Sequence, residues 1–268
     1  MIKLIATDMD GTLLDENGEL PKDFLSVVDT LAKNDIKFVV ASGRSHPTLH
    51  NIFQPISDKL SYICDNGAFI VENKSISSME IIDKEAVQNI IKTCKDIPNI
   101  QVTLCGTKGM YQTNCSDEFN KEIDKYYIAK NIVEDLLTVE DDIFKIAICD
   151  FADAHENSYK ILEPKFGDDF SVVVSGKLWL DIMNKNVNKG IALEKIQKDL
   201  NVSYEETMVF GDFYNDIEML KRAHYSFVME NANEDMKQYG NFIAKSNRES
   251  GVIKAIEEYV LDKIQDRI

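Results

Sequence analysis

Ile2-Lys3-Leu4-Ile5-Ala6-Thr7-Asp8-Met9-Asp10-Gly11-Thr12 decides the fold of this chain. An apolar run broken only by Lys3 reads as a strand buried on both faces of a parallel sheet. Two carboxylates leave its C-terminal end, the edge at which open α/β sheets bind ligands. Gly11 permits a sharp turn there without a Cβ penalty. Carboxylates crowded around one point repel unless a cation sits between them. That points to a hard divalent ion with oxygen ligands, Mg²⁺ above all. A solvated acidic turn after a strand fits the same residues, and the motif alone does not separate the two readings.

Three later segments do. Phe38-Val39-Val40-Ala41-Ser42-Gly43-Arg44 is a second apolar run, ending in a hydroxyl, a glycine and a cation. Asn188-Lys189-Gly190 opens a helical pattern through Ile191, Leu193, Ile196 and Leu200. Met208-Val209-Phe210-Gly211-Asp212-Phe213-Tyr214-Asn215-Asp216 is a third strand ending in glycine and acids. All four segments sit at strand ends or helix starts, so they can converge on one sheet edge. Together they supply acids for a metal and a hydroxyl and cations for an anion.

In that order, the four segments resemble those of the haloacid dehalogenase-like (HAD) hydrolase superfamily, and within it the Cof-type sugar-phosphatase branch. The resemblance covers essentially the whole chain. It implies phosphoryl transfer from a small phosphorylated metabolite, which needs in-line attack and neutralisation of charge on the equatorial oxygens. Asp8 matches the nucleophile that forms an aspartyl-phosphate. Asp10 matches the general acid and base. Asp8, the backbone carbonyl at Asp10, and Asp212 match the Mg²⁺ ligands, with Asn215 and Asp216 ligating or orienting through water. Ser42 matches the hydroxyl on the phosphoryl group, and Lys189 the lysine that bonds nucleophile and phosphate. Gly43, Arg44, Asn66 and Asn215 are the candidate substrate contacts, with Asn66-Gly67 and Asn231-Ala232 matching recurrent loops near the site. Phe213, Glu230 and Asp181 depart from the family's usual residues and bear on substrate fit. A phosphomutase shares these features, and a phosphate-responsive signalling module is a third reading. Asp10 and a large insertion argue against that module.

The insertion is read from a gap. Ser42 and Lys189 lie 147 residues apart, whereas a parallel crossover needs only a dozen or so residues. Between them the periodicity runs helix (84–95), strands (100–105, 110–113), helix (117–127), strand (144–149), helix (154–162) and strands (170–174, 178–183). The expected fold is therefore α/β. Its doubly wound, mainly parallel, Rossmann-like core (1–82 and 185–268) carries an inserted α+β cap domain (83–184). That cap is expected to act as a substrate-specificity lid. It contains no arginine, because the four in the chain are Arg44, Arg222, Arg248 and Arg267. Polar contacts from it would come from lysines and hydroxyls, with the turn Thr107-Lys108-Gly109 as a candidate.

A net charge of −16 argues against a nucleic-acid surface and requires any anion site to be locally positive. Five scattered cysteines without a Cys-x-x-Cys pair read as reduced thiols of a cytoplasmic protein. No apolar run approaches the ~18 residues of a membrane span, so no membrane partner is expected. The chain is expected to be a monomer or small homo-oligomer.

Overall fold

The computed structural model describes residues 1–54, 56–127 and 130–265. They form two compact units, one from Met1–Ser77 with the segment from Asn188 onward, the other from Ser78–Val187.

In the first unit β1 (Leu4–Asp8) is buried throughout. Helix α1 (Phe24–Lys33) buries Phe24, Val27, Val28 and Leu31, the spacing of one helical face. Strand β2 (Lys37–Ala41) follows, then α2 (His46–Ile52), β3 (Leu60–Cys64), β4 (Phe69–Glu72) and β5 (Ser75–Met79).

The second unit runs α3 (Lys84–Cys94), β6 (Ile100–Gly106), β7 (Gly109–Gln112), α4 (Asp117–Ile123), β8 (Lys130–Ile132), β9 (Ile143–Asp150), α5 (Lys160–Phe166), β10 (Phe170–Gly176) and β11 (Trp179–Asn184). The chain then returns to the first unit through α6 (Lys189–Leu200), β12 (Thr207–Gly211), α7 (Ile217–Leu220), β13 (Tyr225–Met229), β14 (Phe242–Ala244) and α8 (Gly251–Ile256).

The first unit's sheet has the order β14-β13-β12-β1-β2-β3-β4-β5. It is parallel from β14 to β3. One face packs Phe24, Phe38, Phe53, Phe210 and Ile256 in a single cluster, and the other packs Val39, Val209, Leu193, Ile196 and Met219. Each such side chain adds roughly 1.5–3 kcal/mol by leaving water. The expected doubly wound core is present, with one local difference. Strand β4 runs antiparallel to β3, because Asp65, Asn66 and Gly67 all take positive φ (49°, 56° and 104°) and reverse the chain at once.

In the second unit the sheet order is β10-β11-β9-β6-β7-β8. It is antiparallel except for the β7–β8 pair. Leu104, Ile146, Ile148, Leu180 and Ile182 pack with the α3 residues Val87, Ile90 and Ile91 and with Leu162 and Phe166 of α5. The alternate residues Thr103, Lys145 and Asp181 are buried too and point to the opposite face. Helix α4 ends at Ile123, earlier than its periodicity suggests. Beyond it Tyr126 and Tyr127 pack against Trp179 at 5.3 and 6.4 Å. Helix α5 continues past the expected end to Phe166, whose ring extends the buried stripe of Leu162. No helix among the described residues is long and apolar enough to cross a membrane.

Candidate active site

Strand β1 places Asp8 at the sheet edge, nearly buried. Lys189, the first residue of α6, is fully buried, and its ammonium donates to Asp8 Oδ1 at 2.5 Å and to Asp216 Oδ1 at 2.7 Å. The side chain of Asn188 caps that helix by accepting from Ile191 N at 2.8 Å, which fixes where Lys189 emerges.

Asp216 also closes the loop that follows β12. Its Oδ2 accepts from the amides of Asp212 (3.0 Å) and Phe213 (3.1 Å). Only a glycine at 211 allows this, since a Cβ there would lie 2.5 Å from Asp216 Cβ. Gly11, at φ +82°, serves Asp212 in the same way, because a Cβ at that position would lie 2.4 Å from Asp212 Oδ2. Thr12 Oγ1 donates to Asp212 Oδ1 at 2.8 Å.

One oxygen from each of Asp8, Asp212 and Asp216 lies within 4.8 Å of the others. Burial pushes Asp8 well above the carboxylate range; Asp216 adds to this and Lys189 opposes it. Burial likewise pushes Asp212 up to about 6, against the Thr12 hydrogen bond. Burial alone would lower Lys189, but Asp216 and Asp8 outweigh it and hold the ammonium above its usual value. Three carboxylates and one ammonium leave two negative charges, which one divalent cation would balance. The all-oxygen donor set fits a hard ion.

The other expected residues gather in two further groups. Ser42 is buried at the end of β2, where its amide donates to Ile63 O at 2.9 Å and its Oγ accepts from Arg44 N at 3.1 Å. Asn66 N donates to Ser42 O at 3.0 Å, and Asn215 Nδ2 donates to Asn66 Oδ1 at 3.0 Å. Gly43 lies against the same amide, its virtual Cβ 3.3 Å from Asn66 Nδ2. Gly67 lets this loop meet the start of α6, for a Cβ there would lie 2.5 Å from Asn188 O. Asn231 Nδ2 donates to Gly11 O at 2.8 Å, while its Oδ1 accepts from Asn247 N at 3.0 Å. Asn247 lies outside every motif and escapes a reading of the sequence. Thr12 was legible as a hydroxyl beside the acids but was not singled out.

Two of the expected residues meet each other. The Asp10 carboxylate is not part of the acidic group: both its oxygens accept from Arg44, Oδ2 from Nε at 3.0 Å and Oδ1 from Nη2 at 2.7 Å. Any part of Asp10 in holding a metal therefore falls to its backbone. Arg44, expected on substrate, is engaged by this bidentate pair. In the second unit the Thr107-Lys108-Gly109 turn is pinned by Asp141, which accepts from Thr107 Oγ1 at 2.5 Å and from Lys108 N at 2.8 Å. Lys108 Nζ donates to Glu140 O at 3.0 Å. Lys108 also lines a cavity of about 600 Å³ with Lys84, Val87, Leu104 and Leu136. That cavity is remote from the acidic group in sequence and contains none of its residues.

The sequence pattern of the haloacid dehalogenase-like hydrolases matches residues 5–256. The chain belongs to this family, in its Cof-type branch. Among family members, 5-amino-6-(5-phospho-D-ribitylamino)uracil phosphatase YbjI of Escherichia coli (strain K12) is 30% identical over 96% of this chain and 96% of its own. The crystal structure of SMU.1108c from Streptococcus mutans UA159 superposes with a TM-score of 0.88 at 31% identity, over 97% of this chain and all of that one. TM0651 from Thermotoga maritima gives a TM-score of 0.85 at 27% identity, over 96% and 97% of the two chains.

Proposed function

We propose that this haloacid dehalogenase-like hydrolase is a Mg²⁺-dependent phosphomonoesterase acting on a small phosphorylated metabolite through an aspartyl-phosphate. The observation that carries the reading is the buried Asp8–Lys189–Asp216 chain beside Asp212. A lone buried carboxylate would resist ionisation; Lys189 opposes that resistance at Asp8, and a cation bound beside it would favour the anion further. An Asp8 oxygen attacks phosphorus and the ester oxygen departs with its electron pair. Asp10 gives that oxygen a proton, then takes one from the water that cleaves the acyl phosphate. The Ser42 hydroxyl donates to a phosphoryl oxygen, and Lys189 offsets the charge that builds there. Oxygens of Asp8 and Asp212 with the backbone at Asp10 would hold Mg²⁺, with Asp216 beside them fastening the Asp212 loop and Lys189; the ion supplies Lewis-acid stabilisation of the equatorial oxygens when bound.

Selection among leaving groups is assigned to the second unit, the expected cap. The phosphate-gripping residues of the first unit would treat every ester alike, so discrimination needs other contacts. Lys145 is the one buried lysine of that unit among the described residues, and Asp181 is buried as well. The substrate named for the E. coli relative, a ribityl phosphate, heads the list to assay.

The test is Asp8→Asn. Turnover should vanish while the circular dichroism spectrum is unchanged, and acid-quenched wild-type enzyme should carry one phosphoryl group on Asp8. Phosphate release at the parental rate by the variant would end the covalent mechanism.

A further inference from the structure

Arg44 is placed as though its business were with Asp10. Its amide donates to Ser42 Oγ and its carbonyl accepts from Asp65 N at 3.1 Å. The backbone is thus tied on both sides, and the side chain starts from a fixed point. The guanidinium then meets both oxygens of Asp10 through Nε and Nη2, the fork geometry only arginine offers. The Asp10 side chain is 55% exposed and that of Arg44 28%. An ion pair so open contributes little to stability. What a bidentate pair does secure is orientation. Asp10 follows β1, and among the described residues Arg44 is the partner its carboxylate has.

We propose that Arg44 is the positioning residue of Asp10: it holds the carboxylate in the orientation from which it serves the leaving oxygen, and it is not primarily a substrate ligand. The proposal rests on the reading of Asp10 as general acid and base. No substrate contact of Arg44 is needed for it.

The two roles separate by leaving group. A nitrophenolate leaves without a proton, whereas an alkoxide needs one. The value of kcat/KM reports steps up to that departure and ignores the later attack of water. For Arg44→Ala, kcat/KM with an alkyl phosphate such as glycerol 3-phosphate should fall about 10- to 100-fold, the usual cost of a misplaced catalytic group. With p-nitrophenyl phosphate it should fall less than about threefold. Arg44→Lys, which restores charge but not the fork, should recover only part of the alkyl loss. Asp10→Asn measured alongside should show the same selectivity, and Asp10→Asn/Arg44→Ala should be no worse than Asp10→Asn alone. Equal losses on both esters from Arg44→Ala would mean that Arg44 grips the phosphoryl group, and the proposal would fall. Additive losses in the double variant would overturn it too. If Asp10→Asn itself did not discriminate between the esters, the assignment of Asp10 would be at fault, and the positioning role would go with it.

Discussion

Replacing Lys189 with methionine tests the electrostatic centre of the first unit directly. The ammonium is completely buried and bonds Asp8 and Asp216, themselves nearly or fully buried. Methionine is one atom shorter but of similar volume, so the change removes charge and little volume. It leaves two carboxylates in low dielectric without their cation. Breaking one side of a buried pair costs about 3–5 kcal/mol. At about 2–4 °C per kcal/mol for a unit of this size, Tm should fall by roughly 6–20 °C. The loss should depend on pH with a definite sign. A carboxyl whose folded pKa is raised binds more protons folded than unfolded, so its contribution to stability falls as pH rises from the ordinary carboxylate range towards the raised value. Asp8 is already raised with Lys189 present and rises further without it. The variant should therefore lie closest to wild type near pH 5 and furthest below it near pH 8. Urea titrations at the two pH values measure this, and Lys189→Met/Asp216→Asn should recover part of the loss because one stranded charge has gone. A deficit under about 1 kcal/mol, or one equal at both pH values, would show that the three groups do not form the coupled charge system described here.

Two further outcomes are expected. Mg²⁺ at 100 times its Kd should add about 2.7 kcal/mol, or roughly 5–11 °C in Tm. Asp212, pushed up to about 6, destabilises the ion-free fold as pH rises from the ordinary range towards that value, and below it protons compete with the metal. The Mg²⁺-induced shift should thus be large at pH 7.5 and small at pH 5, and calorimetry showing a pH-independent shift would remove Asp212 from the ion site. Gly11→Ala forces a side chain into φ +82° with its Cβ 2.4 Å from Asp212 Oδ2. About 1–3 kcal/mol of strain should appear in urea unfolding together with weaker Mg²⁺ binding, and a variant with parental values in both would show that this close approach is relaxed without cost.

Much of this was legible because it depends on residue type at element ends. Asp8 follows an apolar run, and Lys189 follows an Asn cap, so sequence alone could bring them to one edge across a separation of 181 positions. The short strands β5, β8 and β14 were not legible. Ser75–Met79 is largely exposed and polar, and Lys130–Ile132 and Phe242–Ala244 are three residues each. Pairing with a neighbour makes such segments strands, more than any pattern of their own.

Side-chain direction was the second blind spot, and it changes the chemistry. In residue order Asp10 reads as the general acid and base with its backbone on the ion, and Arg44 as a substrate contact. Their bidentate contact goes with the tethering of the Arg44 backbone between Ser42 and Asp65, which is not written in residue order. Asp216 makes the same point. As an acid four residues after Asp212 it reads as one more metal ligand. In the folded chain its Oδ2 holds two loop amides while Oδ1 holds Lys189. The loop that presents Asp212 and the lysine that charges Asp8 are thereby fastened to a single carboxylate, and the absence of a Cβ at Gly211 is what lets that carboxylate reach both.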